Sequence, residues 1–247
     1  MFSADQAAGL RARFARREPQ LVPVLDNPAV QGAEGLLDAL VGAYLERGLQ
    51  VLVVDAGVQA QPASELASVN LAACIEALSD QVGWLDARGL ILRHLDARGS
   101  AARLAERLKD AAPQADVILL RAPAPELARL LAPPQPQSTR PVLLCDLQPD
   151  NLRAAYAGMK WLRERAGVPV FALLLSAPPR LPLAERIARQ LADCAERFLG
   201  AALPDWAAVG PGKLSSAPLR RLARDCLLCE GVVTPPPQEA QAWLRTR

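Results

Sequence analysis

Six short runs set the terms on which this chain can fold: LVPVL (21–25), VLVVDA (51–56), LILRHL (90–95), DVILLR (116–121), PVLLCD (141–146) and PVFALLL (169–175). Each is 5–7 residues long, and most are rich in Val, Ile and Leu with no polar alternation. Runs of that kind read as strands buried on both faces, so something must cover each side of the sheet they form. The cover lies between them, in segments 33–47, 64–82, 98–111, 125–132, 149–166 and 181–199, which have helical spacing. In one of these, Leu152, Tyr156, Met159 and the Trp161/Leu162 pair repeat every three or four residues. Strand and helix taking turns predicts an α/β chain in three layers, a doubly wound and mostly parallel sheet with helices on both faces.

Composition allows such a core. Of 247 residues, 51% are hydrophobic and 22% charged, which is enough apolar surface for one sizeable domain with short appendages. Lys+Arg number 28 and Asp+Glu 26, a net charge of +2, which falls short of the basic balance expected of a nucleic-acid-binding domain. Nucleic acid is therefore not an expected partner. Lys109, Lys160 and Lys213 are the only lysines, and the arginine excess that this leaves carries no functional reading. The five cysteines, 74, 145, 194, 226 and 229, sit mostly inside apolar runs, and the stretch MFSADQAAGLRARF has neither an apolar signal core nor a cleavage pattern. Reduced thiols and a cytoplasmic location are expected. No apolar run is long enough to span a membrane without interruption by proline.

Two appendages flank the domain. Ser3 and Gln6 have capping-box spacing, and Ala7, Leu10 and Phe14 then line one face, which predicts a short helix over 3–17 ended by Pro19. At the other end Pro211-Gly212 punctuates the chain, a second amphipathic stretch runs from Leu214 to Cys229, and Pro235-Pro236-Pro237 leads into a last helical turn at 238–245. The organisation read from this is 1–18, an N-terminal partner-binding helix; 19–212, the α/β domain; and 213–247, a C-terminal amphipathic tail. The Pro-rich stretch 133–141 is a surface loop before a strand.

In a doubly wound sheet the ligand site lies at the carboxyl ends of the strands, and the first strand-to-helix loop is the usual phosphate cradle. A phosphate loop needs glycines, free N–H groups, a lysine and a Ser or Thr for magnesium. Here the loop reads Asp26-Asn27-Pro28-Ala29-Val30-Gln31-Gly32-Ala33-Glu34, with one glycine, no lysine and a carboxylate where phosphate would be repelled. The other strand ends offer Asp55, Arg121, Asp146 and Ser176, isolated groups without paired carboxylates or a Ser/His/Asp order. The single histidine, His94, reads as a packed or surface residue rather than a catalyst. Cys226-Leu-Leu-Cys229 has CxxC spacing, but with no second ligand pair it reads as two small apolar residues on a helix, and no metal site is expected. Asp116 reads as a strand-entry residue.

The strand order, the VLVVDAG segment, Pro149-x-x-Leu152-x-x-Ala155-Tyr156-x-x-Met159-Lys160 and the helix ending Arg197-Phe198-Leu199-Gly200 resemble the MinD/ParA class of deviant-Walker ATPases, which have a P-loop NTPase-like fold. Within that class Asp5-Gln6-Ala7-x-x-Leu10-Arg11 is similar to the DQAxxLR element of the flagellar number regulators FlhG and FleN. The resemblance covers residues 3–212, weakly over 57–115. It implies that Asp5, Gln6, Ala7, Leu10 and Arg11 dock on a signal-recognition-type GTPase of the FlhF kind and stimulate its GTP hydrolysis, and that other flagellar assembly proteins are candidate partners.

The resemblance fails where ATPase chemistry should be. Aligned with the family's GKGGVGKT loop, Pro28 replaces the signature lysine, Ala33 the phosphate lysine and Glu34 the magnesium-binding hydroxyl, and Gly32 alone survives. Gly57 replaces the second aspartate of the DAD segment after Asp55, Arg121 stands at the Walker B aspartate, and Ser176 at the base-reading asparagine. Losing both lysines and both metal-side groups removes the charge that neutralises a triphosphate. The expectation is a pseudo-ATPase that binds neither ATP nor magnesium and forms no ATP-dependent homodimer.

The expected function is non-catalytic regulation of flagellar biogenesis, of flagellum number or placement. The alternative is a degenerate MinD/ParA-like scaffold for another cell-positioning, division or secretion system, with DQAAGLR a coincidence. A weak peripheral contact with the inner face of the cytoplasmic membrane through Leu219, Arg220, Arg221, Leu222 and Arg224 competes with the plainer reading, in which that apolar stripe covers the domain's own core.

Overall fold

Alternation along the strands sets the architecture. In β5 (Val117–Ala122) every residue is buried, and successive side chains point to opposite faces of the sheet. Val117 and Leu119 join one apolar cluster, and Ile118 and Leu120 join the other. Such a strand needs a helical layer on each side. The computed structural model, which describes residues 18–132, 139–178, 180–210 and 216–227, provides both.

Beside β5 run β1 (Gln20–Leu25), β2 (Val51–Asp55), β3 (Glu76–Ala77), β4 (Val82–Asp86), β6 (Val142–Asp146), β7 (Val170–Ser176) and β8 (Ala202–Val209). They form one sheet in the order β3-β4-β2-β5-β1-β6-β7-β8, parallel throughout except for the antiparallel β3–β4 pair. On one face α1 (Ala33–Leu45) buries Leu36, Leu37, Leu40 and Tyr44 against Val22, Val24, Val53 and Leu144. The other face carries α2 (Leu90–Arg93), α3 (Ala102–Ala111), α4 (Ala124–Leu130), α5 (Pro149–Ala166) and α6 (Pro182–Leu199), over Leu52, Val54, Leu143, Phe171 and Leu173. The last of the described helices, α7 (Ala217–Leu227), lies beside α1 and buries Leu219, Leu222, Ala223 and Cys226.

The predicted helix 149–166 coincides with α5: Pro149 opens it, Arg163 and Arg165 sit in its last turn, and Gly167 stops it in the left-handed conformation at φ 70. The predicted segments 33–47, 98–111, 125–132 and 181–199 match α1, α3, α4 and α6 to within a few residues; of the predicted 214–229, Ala217–Leu227 is helical as α7, Ser216 is not, and 214–215 and 228–229 lie outside the described residues.

The region 57–95 differs from its reading. The predicted helix 64–82 is instead two 3-10 turns, Glu65–Ser68 and Ala72–Cys74, followed by β3 and the start of β4. The predicted strand 90–95 is the one-turn helix α2, entered through Gly89 at φ 79. A short apolar run does not tell strand from helix, and here adjacent Leu90 and Ile91 are buried while Leu92 is half exposed, the pattern of a helical turn. The true strand, VGWLD, is half-buried near a sheet edge and carries a glycine and a carboxylate, so it shows no continuous apolar run. The edge strand β8 was not predicted. Its Pro204-Asp205 interrupts the apolar pattern, and proline is tolerated at a sheet edge because no ladder bond is required of it there. The predicted helices 3–17 and 238–245, Cys229, and most of the Pro-rich loop lie outside the described residues.

Candidate functional site

The carboxyl ends of β1, β2, β5, β6 and β7 converge on the loop between β1 and α1, and the sequence-predicted positions divide around it. Gly32 ends the loop at φ 81, a left-handed conformation that glycine adopts without strain. A Cβ at Gly32 would also lie 3.2 Å from Ser176 Oγ, which puts Ser176 against the loop from β7. Pro28 and Ala29 are exposed at the loop's crest, and Ala33 and Glu34 begin α1. A carboxylate in that first turn suits the positive end of the helix dipole.

The far side of the loop is held by three buried polar groups: Asp146, one of the strand-end residues named from the sequence, Asn27 in the loop itself, and Asn151, which sequence reasoning did not single out. Asp146 Oδ2 accepts hydrogen bonds from the Gln31 N–H at 3.2 Å and the Asn151 amide at 2.9 Å. The Asn151 amide also reaches the Ala29 carbonyl at 3.1 Å, and the Asn27 amide donates to the Asn151 carbonyl at 3.2 Å. Asn27, Asp146 and Asn151 are all buried, and each bond satisfies a group that would otherwise be costly there. An asparagine in the first turn after a strand ending in aspartate was the available sequence signal.

The centre of the site is Arg121. Its guanidinium is buried at the end of β5 and meets Asp55, its register partner on β2, through two bonds: Nε to Oδ1 at 2.8 Å and Nη2 to Oδ2 at 2.6 Å. The remaining arm, Nη1, reaches Glu34 Oε1 at 2.5 Å, so one cation bridges two strands to the first turn of α1. Asp55 Oδ1 also accepts from the Gly57 N–H at 3.0 Å, and Asp26 Oδ2 from the Val58 N–H at 2.8 Å. Gly57 leaves the space for this packing, because a Cβ there would sit 3.1 Å from each of Arg121 Nε, Asp26 Oδ2 and Asp55 Oδ1.

Charge follows geometry. Burial pulls the Arg121 guanidinium down, but its hydrogen bonds and ion pairs with Asp55 and Glu34 outweigh that pull and hold it above its ordinary value. Burial also raises the Asp26 carboxyl, against the opposing Val58 N–H bond and the Arg121 charge. A cavity of about 230 Å³ opens beside these groups, bounded by Asp26, Pro28, Gly32, Glu34, Gln59 and Arg121. Its one basic side chain is already bound by two carboxylates, and Glu34 faces the same space. The arrangement suits internal pairing better than the cradling of a polyanion.

The remaining candidates lie elsewhere. His94 follows α2, with Nδ1 2.9 Å from Arg107 Nη1, and Arg107 Nη2 donates to the Ser68 carbonyl at 3.0 Å. Burial, with the Arg107 charge, pushes His94 down. Asp116 Oδ2 accepts from the Gln50 N–H at 2.8 Å, a strand-entry role as read. Burial pushes the Cys145 thiol up to about 12. Leu219 and Leu222 are buried against α1 and the sheet, so the apolar stripe weighed for membrane contact covers the core; Arg220, Arg221 and Arg224 lie on the solvent side. Among the described residues no helix is long and apolar enough to cross a membrane, and no group of three His, Cys, Asp or Glu could hold a metal ion. Asp5, Gln6, Ala7, Leu10 and Arg11 lie outside the described residues.

No protein family matches the chain, and no curated protein matches its sequence. Solved structures do. A plasmid partition protein from Borrelia burgdorferi, at 9% identity, superposes with a TM-score of 0.54 over 85% of this chain and 97% of its own. The MinD cell division protein of Aquifex aeolicus, at 12% identity, gives 0.53 over 84% and 94%. Cobyrinic acid a,c-diamide synthase from Mycobacterium smegmatis, solved with bound ADP and magnesium, gives 0.58 at 15% identity over 84% and 92%. At these identities the likeness is one of architecture: the chain has the P-loop NTPase-like α/β fold seen in MinD and plasmid partition proteins.

Proposed function

We propose that this chain is a non-catalytic regulator built on a nucleotide-binding fold, a pseudo-ATPase whose site is filled by its own charges. The observation that supports this reading is the Arg121 guanidinium, bound at once to Asp55 and Glu34 at the mouth of the β1–α1 loop. Phosphoryl transfer needs free cations around the β- and γ-phosphates and a hydroxyl or carboxylate set for magnesium. This loop offers Ala33 and Glu34 at the corresponding positions and Pro28 where a lysine would reach across a nucleotide-bound dimer. ATP and magnesium are not cofactors on this reading, and dimerisation does not follow ATP. The direct test is a titration with labelled ATP and magnesium, in which no binding is expected at micromolar protein. Micromolar affinity would overturn the proposal.

The finer reading rests on the sequence element Asp5-Gln6-Ala7-x-x-Leu10-Arg11. The chain acts in the cytoplasm as a flagellar number or placement regulator, presenting that element to an FlhF-type GTPase and raising its GTP hydrolysis. The test is the hydrolysis rate of the cognate GTPase alone, with this protein, and with its Gln6→Ala variant. Stimulation removed by the substitution is the expected outcome. Absence of stimulation by the unaltered protein would leave a scaffold for another positioning, division or secretion system as the better reading.

A further inference from the structure

Helices α5 and α6 each return the chain between parallel strands, so they run in the same direction, and an apolar groove of about 450 Å³ lies between their outer faces. Its walls are Leu152 and Tyr156 from α5 and Ile187, Leu191, Cys194 and Phe198 from α6. Phe198, at the groove's end, is 68% exposed. A large ring held in water beside an apolar hollow marks a docking surface.

We propose that the occupant is a second copy of the chain: two α6 helices pack antiparallel about a two-fold axis, and Phe198 of each enters the groove of the other. A projecting ring and a hollow side by side on one patch suit a two-fold interface, because such a patch must complement itself. The charges on this face are self-complementary too. On α5, Arg153 pairs with Asp150 and Lys160 with Glu164, and on α6, Arg189 pairs with Glu185. The charges left on α6 are exposed Arg186, Asp193, Glu196 and Arg197, two of each sign, and among the described residues their side chains pair with nothing. A partner of one dominant charge, or an anionic membrane, finds no opposite field here, whereas a second copy of the same face meets no net repulsion.

The spacing along α6 sets the register. With the axis at the level of Ala195, each residue of one antiparallel helix lies level with the residue equally far beyond 195 in the other. Asp193 of one copy is then level with Arg197 of the second copy, and the pair occurs twice. The two residues are one turn apart on the exposed side of α6, so one flank of the contact carries both pairs. Phe198 falls level with position 192 of the second copy, within about 3 Å along the helix of Leu191 and Cys194 in the groove wall. None of these residues belongs to the β1–α1 loop, so pairing here is independent of what that loop binds.

The experiment is sedimentation velocity of the full chain between about 1 and 100 μM, with and without ATP and magnesium. A reversible dimer, equally strong in both conditions, is expected. Phe198→Asp should leave a monomer. Asp193→Arg and Arg197→Asp each set like charges opposite one another at both pairs and should raise the dissociation constant about tenfold, and the double variant, which reverses both signs, should recover the parent value. All three positions are exposed, and urea midpoints equal to the parent's would separate lost pairing from lost folding. A short bismaleimide should join Cys194 to Cys194 of the second copy, one residue either side of the axis, as read by peptide mass. A chain that stays monomeric over this range would overturn the proposal, as would a dimer that survives Phe198→Asp or a double variant as weak as the single ones. A dimer formed only with ATP and magnesium would place the contact at the β1–α1 loop and overturn it as well.

Discussion

Asp55 and Arg121 stand opposite each other in the register of β2 and β5, and their buried side chains close a two-point ion pair. Both side chains are 5% exposed. Replacing such a pair by apolar groups can be neutral, but removing one partner leaves a buried charge uncompensated. Arg121→Ala should therefore destabilise the domain by about 3–5 kcal/mol, measured by urea denaturation at pH 7. Glu34, whose side chain is 65% exposed, contributes less, and Glu34→Ala should cost under about 1 kcal/mol. Equal losses for the two variants would mean that the pairing on β2 is not what fixes the guanidinium.

Asp26 gives a pH dependence of opposite sense to that of a salt-bridged carboxylate. Its pKa is raised in the folded protein, mainly by burial, so the native state binds the proton more tightly than the unfolded chain. Stability contributed by this group falls as pH rises through the window above its ordinary value of 3.8 and stays lower at neutral pH. Asp26→Asn keeps an acceptor for the Val58 N–H and removes the charge. The urea midpoint of the variant should exceed that of the parent at pH 7, with the gap closing as pH falls towards 4.

His94 works the other way. Burial and the nearby Arg107 charge lower its pKa below 6.5, so the folded state holds it neutral. Its stabilising contribution is complete above that value and is lost as pH falls below it, where the unfolded chain takes up the proton first. In thermal melts between pH 7.5 and about 5, His94→Asn should flatten the acid side of the profile relative to the parent. Identical slopes would remove His94 from the bracket between α2 and α3.

The two sides of α7 should respond differently to substitution. Leu219 and Leu222 are 0% and 1% exposed, so either one changed to Ala should cost about 2–5 kcal/mol. Charge reversal of Arg221 on the outer side should stay within about 0.5 kcal/mol. Flotation with anionic vesicles should leave the folded protein unbound, since its apolar stripe is already covered. Recovery with the vesicles would show that α7 leaves the core.

Much of the frame was legible because it is local. Val117 to Ala122 announces a doubly buried strand by composition alone, and Pro149, Gly167 and the arginines between them mark α5 at both ends. β4 and β8 were not, because a strand near or at the edge is covered less and tolerates Gly83, Pro204 and Asp205, which break the apolar pattern. At the site the odd residues were visible one by one. Glu34 and Arg121 each stand out as misfits in a phosphate-binding loop and strand. That they answer each other could not be read, because they are 87 positions apart and meet only when β5 lies between β1 and β2. Gly57 looked like a lost aspartate, and packing gives it a positive role: it is the space into which the guanidinium fits.

The cation at the carboxyl end of β5 is part of the chain. It has no off-rate and no concentration, and it is delivered once, when β2 and β5 pair. A loop steadied by exchangeable ions takes its shape from the supply of those ions in the cell. If the site takes no nucleotide, as proposed above, the β1–α1 loop, steadied by Arg121, keeps the same geometry in starved and in growing cells alike, and a signal that alters its surroundings then arrives through a contact made on the outside of the domain.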